Sequence, residues 1–84
     1  MKEENVMANL LAERIKNTEL TKKQRIIGDY FIKNQERIGN LSALDIASEI
    51  GVSDASIIRF SKAIGFEGYA DLKNKIYDML VENS

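Results

Sequence analysis

Apolar residues recur along the chain at intervals of three and four, the spacing that places side chains on one side of an α-helix. This pattern predicts an all-α fold, a compact bundle of five helices. The helices are expected at about residues 5–16, 22–34, 43–50, 54–64 and 69–81. The segment 35–41, QERIGNL, is predicted to form a short turn or a broken helical turn, with Ile38 and Leu41 pointing inward.

Hydroxyl residues mark where three of these helices begin. Thr21 with Gln24, and Ser42 with Asp45, have the spacing of a capping box, in which each side chain accepts a hydrogen bond from the other residue's backbone N–H. Ser53 is expected to cap the fourth helix in a similar way. The chain therefore carries start signals for its second, third and fourth helices.

Glycines are informative at three positions. Gly51 and Gly65 are expected to end the third and fourth helices, because glycine adopts the left-handed conformation at the lowest cost. Gly28 lies inside the second helix and costs about 1 kcal/mol relative to alanine, which indicates either close packing of another helix or a tolerated cost. That helix is expected to bury Ile26, Ile27, Tyr30 and Phe31.

The stretch IASEIGVSDASIIRF, residues 46–60, predicts a helix-turn-helix of the homeodomain-like kind. Ala47 is small enough for a second helix to cross over it, and Gly51 makes the turn of about three residues that this motif needs. The apolar residues that fill the angle between the two helices are Ile46, Ile50, Val52, Ile57 and Phe60.

The outer face of the second of these helices suggests DNA recognition. At 100° per residue, the side chains that face away from the core are Ala55, Ile58, Arg59 and Lys62. Ser53, Asp54 and Ser56 are expected at its exposed N-terminal end, the part that reads base edges in helix-turn-helix proteins. An apolar side chain suits a thymine methyl group, and arginine can pair with guanine O6 and N7.

We predict two sets of contacts to DNA, one to the bases and one to the phosphates. The expected base contacts are Ser53, Ala55, Ser56, Ile58 and Arg59. The expected phosphate contacts are Ser42, Lys62, Tyr69 and Lys73.

Composition narrows the function further. The 84 residues contain no Cys and no His, so the usual ligands of transition metals and the commonest general base are missing. We therefore expect no cofactor, no metal site and no enzymatic activity. No apolar run is long enough for a signal peptide or a membrane span, which predicts a cytoplasmic protein.

The net charge of −1, from 12 basic and 13 acidic residues, is unusual for a protein that binds nucleic acid. The distribution matters more than the sum, because binding depends on the charge of one face. Residues 14–25 carry five cations against Glu19 alone. A protein-interaction module without DNA binding remains the alternative, since near-neutral charge and an outward Ile58 suit it as well.

Residues 20–76 resemble the N-terminal domain of the RpiR family of bacterial transcriptional regulators, most specifically in IASEIGVSDASIIRFSKAIGFEGYADLK. The resemblance implies a repressor or activator that binds double-stranded operator DNA as a homodimer. It also implies a C-terminal sugar-isomerase-type domain that senses a phosphosugar. We expect residues 1–84 to be the excised DNA-binding domain, with an N-terminal helix in 1–19 and the helix-turn-helix bundle in 20–81.

Apolar residues of the first predicted helix offer a dimer interface. The residues expected to form it are Val6, Met7, Leu10 and Leu11. A two-fold dimer through this helix would place two recognition helices about one DNA turn apart. The alternative is that the same stripe packs on the second and fifth helices of its own chain.

Overall fold

The computed structural model describes residues 11–82, and all regular structure in this range is helical. Residues 11–16 form the described part of the first helix, called α1. The others are α2 (Lys22–Lys33), α3 (Gln35–Ile38), α4 (Ala43–Ile50), α5 (Asp54–Ala63) and α6 (Tyr69–Glu82). The predicted all-α class is confirmed. The helix number differs by one, because the segment predicted as a broken helical turn contains the four-residue helix α3.

The predicted capping residues begin the helices. At α2 the Thr21 Oγ accepts the Gln24 N–H at 3.1 Å, and the Gln24 side chain accepts the Thr21 N–H at 3.0 Å. Ser42 and Asp45 form the same reciprocal pair at α4, with both distances at 3.0 Å. Each pair satisfies two backbone donors that the first turn of a helix leaves unbonded.

Two aromatic rings form the centre of the core. Phe31 of α2 and Phe60 of α5 are fully buried, and their ring centroids lie 5.3 Å apart. The same core cluster contains the other large apolar side chains with less than 2% exposure: Ile27, Ile38, Ile46, Ile57 and Leu72. Since these residues come from α2 to α6, one core holds the helix-turn-helix against the rest of the bundle.

Gly28, rather than Ile26, lies on the buried face of α2. A Cβ at Gly28 would lie 3.2 Å from Ile15 Cγ2 and 3.5 Å from Phe60 Cε1, so α1 and α5 both approach α2 closely here. The interpretation of Gly28 as a close-packing site is confirmed. The prediction that Ile26 is buried is wrong, since Ile26 is 53% exposed. At 100° per residue, a face centred between Ile27 and Gly28 turns Ile26 outward.

Candidate nucleic-acid interface

The turn between α4 and α5 spans residues 51–53 and is tightly bonded. Gly51 has φ +92° and ψ +33°, the left-handed conformation that its position predicts. The backbone N–H groups of Gly51 and Val52 donate to the Ala47 carbonyl at 2.8 and 3.0 Å. Ala47 is buried where α4 packs on α5. The predicted helix-turn-helix is thus present, and the hydrogen bonds of its turn fix α5 relative to α4.

The inner side of α5 fixes this helix to the core. Ile57, Phe60 and Ile64 are buried, and the Ser61 hydroxyl donates to the Ile57 carbonyl at 2.9 Å. At the start of the helix, the Ser53 Oγ accepts the Ser56 N–H at 3.2 Å. The helix is therefore held along its length and at its N-terminus.

The outer side of α5 presents the four residues predicted there. Ala55, Ile58, Arg59 and Lys62 are all exposed, Ile58 to 38%. At 100° per residue they cover roughly 100° of the helix circumference, opposite the buried residues. The predicted geometry of one shared outward face is confirmed.

Within the described part of the chain, no ion pair involves the two cations of this face. Among residues 11–82, the ion pairs join Arg37 to Glu49 and Lys75 to Asp71. Neither Arg59 nor Lys62 belongs to one of these pairs. The outward face of α5 therefore carries two positive charges that are available to an anionic partner.

Ser56 does not lie on this face. Its side chain is only 4% exposed, and its Oγ lies 3.0 Å from the Ser53 Oγ. The prediction that Ser56 is exposed at the helix end and contacts a base is therefore wrong. Position along the helix suggested exposure, but at 100° per residue Ser56 falls toward the side of Ile57 and Phe60. Ser53 remains exposed.

Tyr69 also departs from its predicted role as a phosphate contact. It is 8% exposed, its ring packs edge-on against Phe31 at 6.2 Å, and its hydroxyl donates to the carbonyls of Ile38 and Leu41. Burial raises its pKa to about 12. The hydroxyl thus satisfies backbone acceptors at the end of α3 and just after it, and it is not presented to a ligand.

Ser42 and Lys73, the other predicted phosphate contacts apart from Lys62, both interact with Asp45. Hydrogen bonds from Ser42 hold the pKa of the Asp45 carboxyl below its usual range, and the charge of Lys73 adds to this effect. The Lys73 Nζ lies 6.0 Å from the centroid of the Tyr69 ring. The structure therefore brings Ser42 and Lys73 to the same end of α4.

A polar cluster that the sequence pattern did not predict connects α4 to α2 and α3. Glu49 accepts hydrogen bonds from the Tyr30 hydroxyl at 2.6 Å and from Arg37 Nη2 at 2.8 Å. These bonds hold the pKa of the Glu49 carboxyl below its usual range. Because the three residues are 12 and 19 positions apart, no local motif signals the cluster.

Of the stripe predicted as a dimer interface, Val6, Met7 and Leu10 lie outside the described residues. Leu11 is 7% exposed and belongs to the hydrophobic core of its own chain. The structure thus places Leu11 as the intramolecular alternative expects.

Comparison with known proteins decides the family. Residues 7–83 match the family described as "Helix-turn-helix domain, rpiR family". The chain belongs to this family. Two curated relatives are named as uncharacterized HTH-type transcriptional regulators: TTE0211 of Caldanaerobacter subterraneus subsp. tengcongensis is 35% identical over 83% of the chain, and YfhH of Escherichia coli is 28% identical over 88%. The domain is a DNA-binding module of transcriptional regulators, and the alternative of a protein-interaction module is not supported.

The fold recurs in a solved regulator. The structure of the Vibrio vulnificus NanR protein complexed with ManNAc-6P matches 92% of the chain with a TM-score of 0.80 and 22% sequence identity. The chain spans 29% of that protein and 25% and 26% of the two curated relatives. The match therefore concerns one domain of longer proteins. None of the helices in residues 11–82 is long and apolar enough to cross a membrane.

Proposed function

We propose that this rpiR-family domain binds operator DNA in the cytoplasm by placing α5 in the major groove. The observation that carries the proposal is the outward face of α5, where Ala55, Ile58, Arg59 and Lys62 are exposed together. A helix fits the major groove, whose base edges offer thymine methyl groups and the acceptors of guanine. The proposal assigns the domain no catalytic step.

The contacts divide into two kinds. Ser53, Ala55, Ile58 and Arg59 face the bases, while Lys62, Ser42 and Lys73 face the sugar-phosphate backbone. Contacts of the second kind supply affinity and orientation, and contacts of the first kind supply sequence preference. Since Asp45 lies beside Ser42 and repels phosphate, Ser42 is expected to contribute less than Lys62.

The decisive experiment is selection of bound sites from a random duplex library, followed by affinity measurement on the enriched duplex and a scrambled one. We expect an enriched motif and clearly tighter binding of the selected duplex. Equal affinity for both duplexes would contradict sequence-specific recognition. A failure to bind either duplex would contradict DNA binding itself.

The proposal extends to a homodimer that reads a palindrome with half-sites about one helical turn apart. The apolar stripe of Val6, Met7 and Leu10 supports it as a sequence feature. Leu10→Glu should give a folded monomer in sedimentation, with reduced affinity for the full palindrome and unchanged affinity for a half-site. An unfolded variant would instead assign Leu10 to the core.

The regulator that contains this domain is proposed to respond to a phosphosugar bound outside residues 1–84. Family resemblance and the ManNAc-6P of the NanR structure support this assignment. Accordingly, ManNAc-6P should leave DNA binding by residues 1–84 unchanged. An effect of the phosphosugar on the isolated domain would place a sensing site within it.

A further inference from the structure

Arg14 of α1 reaches the C-terminal end of the recognition helix. Its Nη1 donates to the Ile64 carbonyl at 3.3 Å, across 50 positions of sequence, and its Cζ lies 4.6 Å from the centroid of the Phe66 ring. Gly65 has φ +102°, and a Cβ there would lie 3.2 Å from Arg14 Nη1. The guanidinium thus lies in space that a glycine at position 65 leaves open.

The position is electrostatically favourable. The last carbonyls of a helix lack partners within the helix and carry partial negative charge, which a cation at the C-terminus stabilises. Ile64 is the C-cap of α5, so Arg14 supplies one of the missing donors. Stacking on Phe66 holds the guanidinium over this end of the helix and adds a cation–π attraction.

The two ends of α5 are consequently held by different parts of the chain. The Ser53 cap and the Gly51 turn fix its start, while the buried side chain of Ile64 and the Arg14 guanidinium of α1 hold its end. Arg59 and Lys62 lie between, and Lys62 is only two residues before Ile64. We propose that Arg14 is a positioning residue for DNA recognition: it sets the direction of the C-terminal half of α5, and hence the placement of Arg59 and Lys62 against the DNA. This inference rests on the proposed function.

Arg14 is suited to a local effect because its guanidinium is not part of the core. The side chain is exposed and lies at the edge of an open groove of about 610 Å³, whose apolar lining includes Leu11, Phe66, Leu72 and Ile76. Removing the guanidinium leaves these core contacts in place. Loss of the guanidinium should therefore change the orientation of α5 more than the stability of the domain.

The rival role for Arg14 is a direct phosphate contact, which predicts a different result. Arg14→Met keeps the stem but removes the charge and the donors, and Lys16→Met, on the same helix, removes the same charge as a control. Affinities should be measured for the selected and scrambled duplexes over a series of salt concentrations. Arg14→Met is expected to weaken binding of the selected duplex by about threefold to tenfold, the size of one exposed cation–π contact or of one hydrogen bond. The affinity for the scrambled duplex and the salt slope should be the same for Arg14→Met as for Lys16→Met.

Three results would overturn the proposal. Equal losses on both duplexes, with the slope reduced by about 0.9, would make Arg14 a phosphate contact. Full recovery by Arg14→Lys would show that charge alone matters, since lysine lacks the planar group that stacks on Phe66. No difference from Lys16→Met would remove any role in recognition.

A measurement without DNA separates this inference from the proposed function. In the free domain, Arg14→Met should shift the backbone amide resonances of the C-terminal half of α5, from Arg59 to Gly65, and leave those near Ser53 unchanged. If the native domain bound no DNA while these shifts appeared, the proposed function would fail, but the conclusion that Arg14 positions α5 would stand. If the shifts were absent, the conclusion that Arg14 positions α5 would be refuted.

Discussion

Ile58 is the large apolar residue on the outward face of α5. The feature of DNA that suits its side chain is the thymine methyl group. Replacing the contacted thymine by uracil should weaken binding of the native domain, because the methyl group leaves the interface. Ile58→Ala should weaken binding by about 1–2 kcal/mol, since each buried methylene contributes about 0.8 kcal/mol. In that variant the uracil substitution should have little further effect. Fluorescence anisotropy on the four combinations measures this coupling.

Ile26 supplies the control for this experiment, since it is the same residue type, is 53% exposed and lies on α2. Ile26→Ala should leave affinity unchanged. Additive effects of Ile58→Ala and uracil would mean that Ile58 does not contact the methyl group.

Arg59 is expected to distinguish guanine from other bases. Arg59→Ala should reduce affinity for the selected duplex by about 1–3 kcal/mol and relax preference at one base pair, because a bidentate contact to O6 and N7 is lost. Substituting 7-deazaguanine, which lacks the N7 acceptor, should reproduce part of the loss in the native domain only. A uniform loss on all sequences would assign Arg59 to a phosphate instead.

Single residues also show where sequence reasoning succeeds and where it fails. The outward positions of Ala55, Ile58 and Arg59 follow from helical period alone, and the structure confirms them. The same period turns Ser56 toward Ile57 and Phe60, so its burial could have been predicted. Tyr69 could not be placed in this way, because its burial depends on contacts that the period does not contain. Tyr69 reaches carbonyls 28 and 31 positions away, which only the packed bundle brings together.

At the scale of elements, the junction of α4 and α5 depends on the backbone of Gly51. Gly51→Ala should lower the free energy of unfolding by about 1–2 kcal/mol, the cost of a left-handed conformation for a residue with a Cβ. No atom lies within 4 Å of a Cβ built at Gly51, so the cost is conformational and not steric. Urea denaturation measures it.

Gly68→Ala is the matched control, since its Cβ would also meet no atom within 4 Å and its φ is not positive. We expect a change within about 0.5 kcal/mol, as for ordinary surface substitutions. Equal destabilisation by both substitutions would refute the conformational explanation for Gly51.

The junction of α3 and α6 depends on the Tyr69 hydroxyl. Tyr69→Phe should lower the free energy of unfolding by about 1–3 kcal/mol at neutral pH, because buried carbonyls lose their donor. The pKa of Tyr69 rises from 10.0 to about 12 on folding, so the folded state keeps a proton that the unfolded state releases first. Its contribution is therefore fully present below pH 10 and is lost as the pH rises toward 12.

Urea denaturation from pH 8 to pH 12 tests this, and the Tyr69→Phe variant should lack that part of the alkaline loss. An identical pH profile in both proteins would show that the pKa of Tyr69 does not change on folding.

At the scale of the whole molecule, the near-neutral charge hides an unequal use of the charged groups. Three acidic residues serve internal roles: Asp45 closes the capping box, Glu49 binds Tyr30 and Arg37, and Asp71 accepts the Glu67 N–H and pairs with Lys75. The cations of the α5 face have no such partners among residues 11–82. Composition therefore could not reveal these outward cations, whereas the helical period together with the turn at Gly51 predicted their exposed positions.

Salt dependence tests whether the outward cations of α5 contact phosphate. Each phosphate contact releases condensed counterions and contributes about −0.9 to the slope of log affinity against log salt. Lys62→Gln should therefore make the slope shallower by about 0.9 on selected and scrambled duplexes alike, since a phosphate contact carries no sequence information. Lys75→Gln removes the same charge from a lysine that pairs with Asp71, and it should leave the slope unchanged. If both substitutions altered the slope equally, DNA would respond to net charge and not to a defined contact. If neither did, Lys62 would lie away from the DNA and the orientation of α5 in the groove would have to be revised.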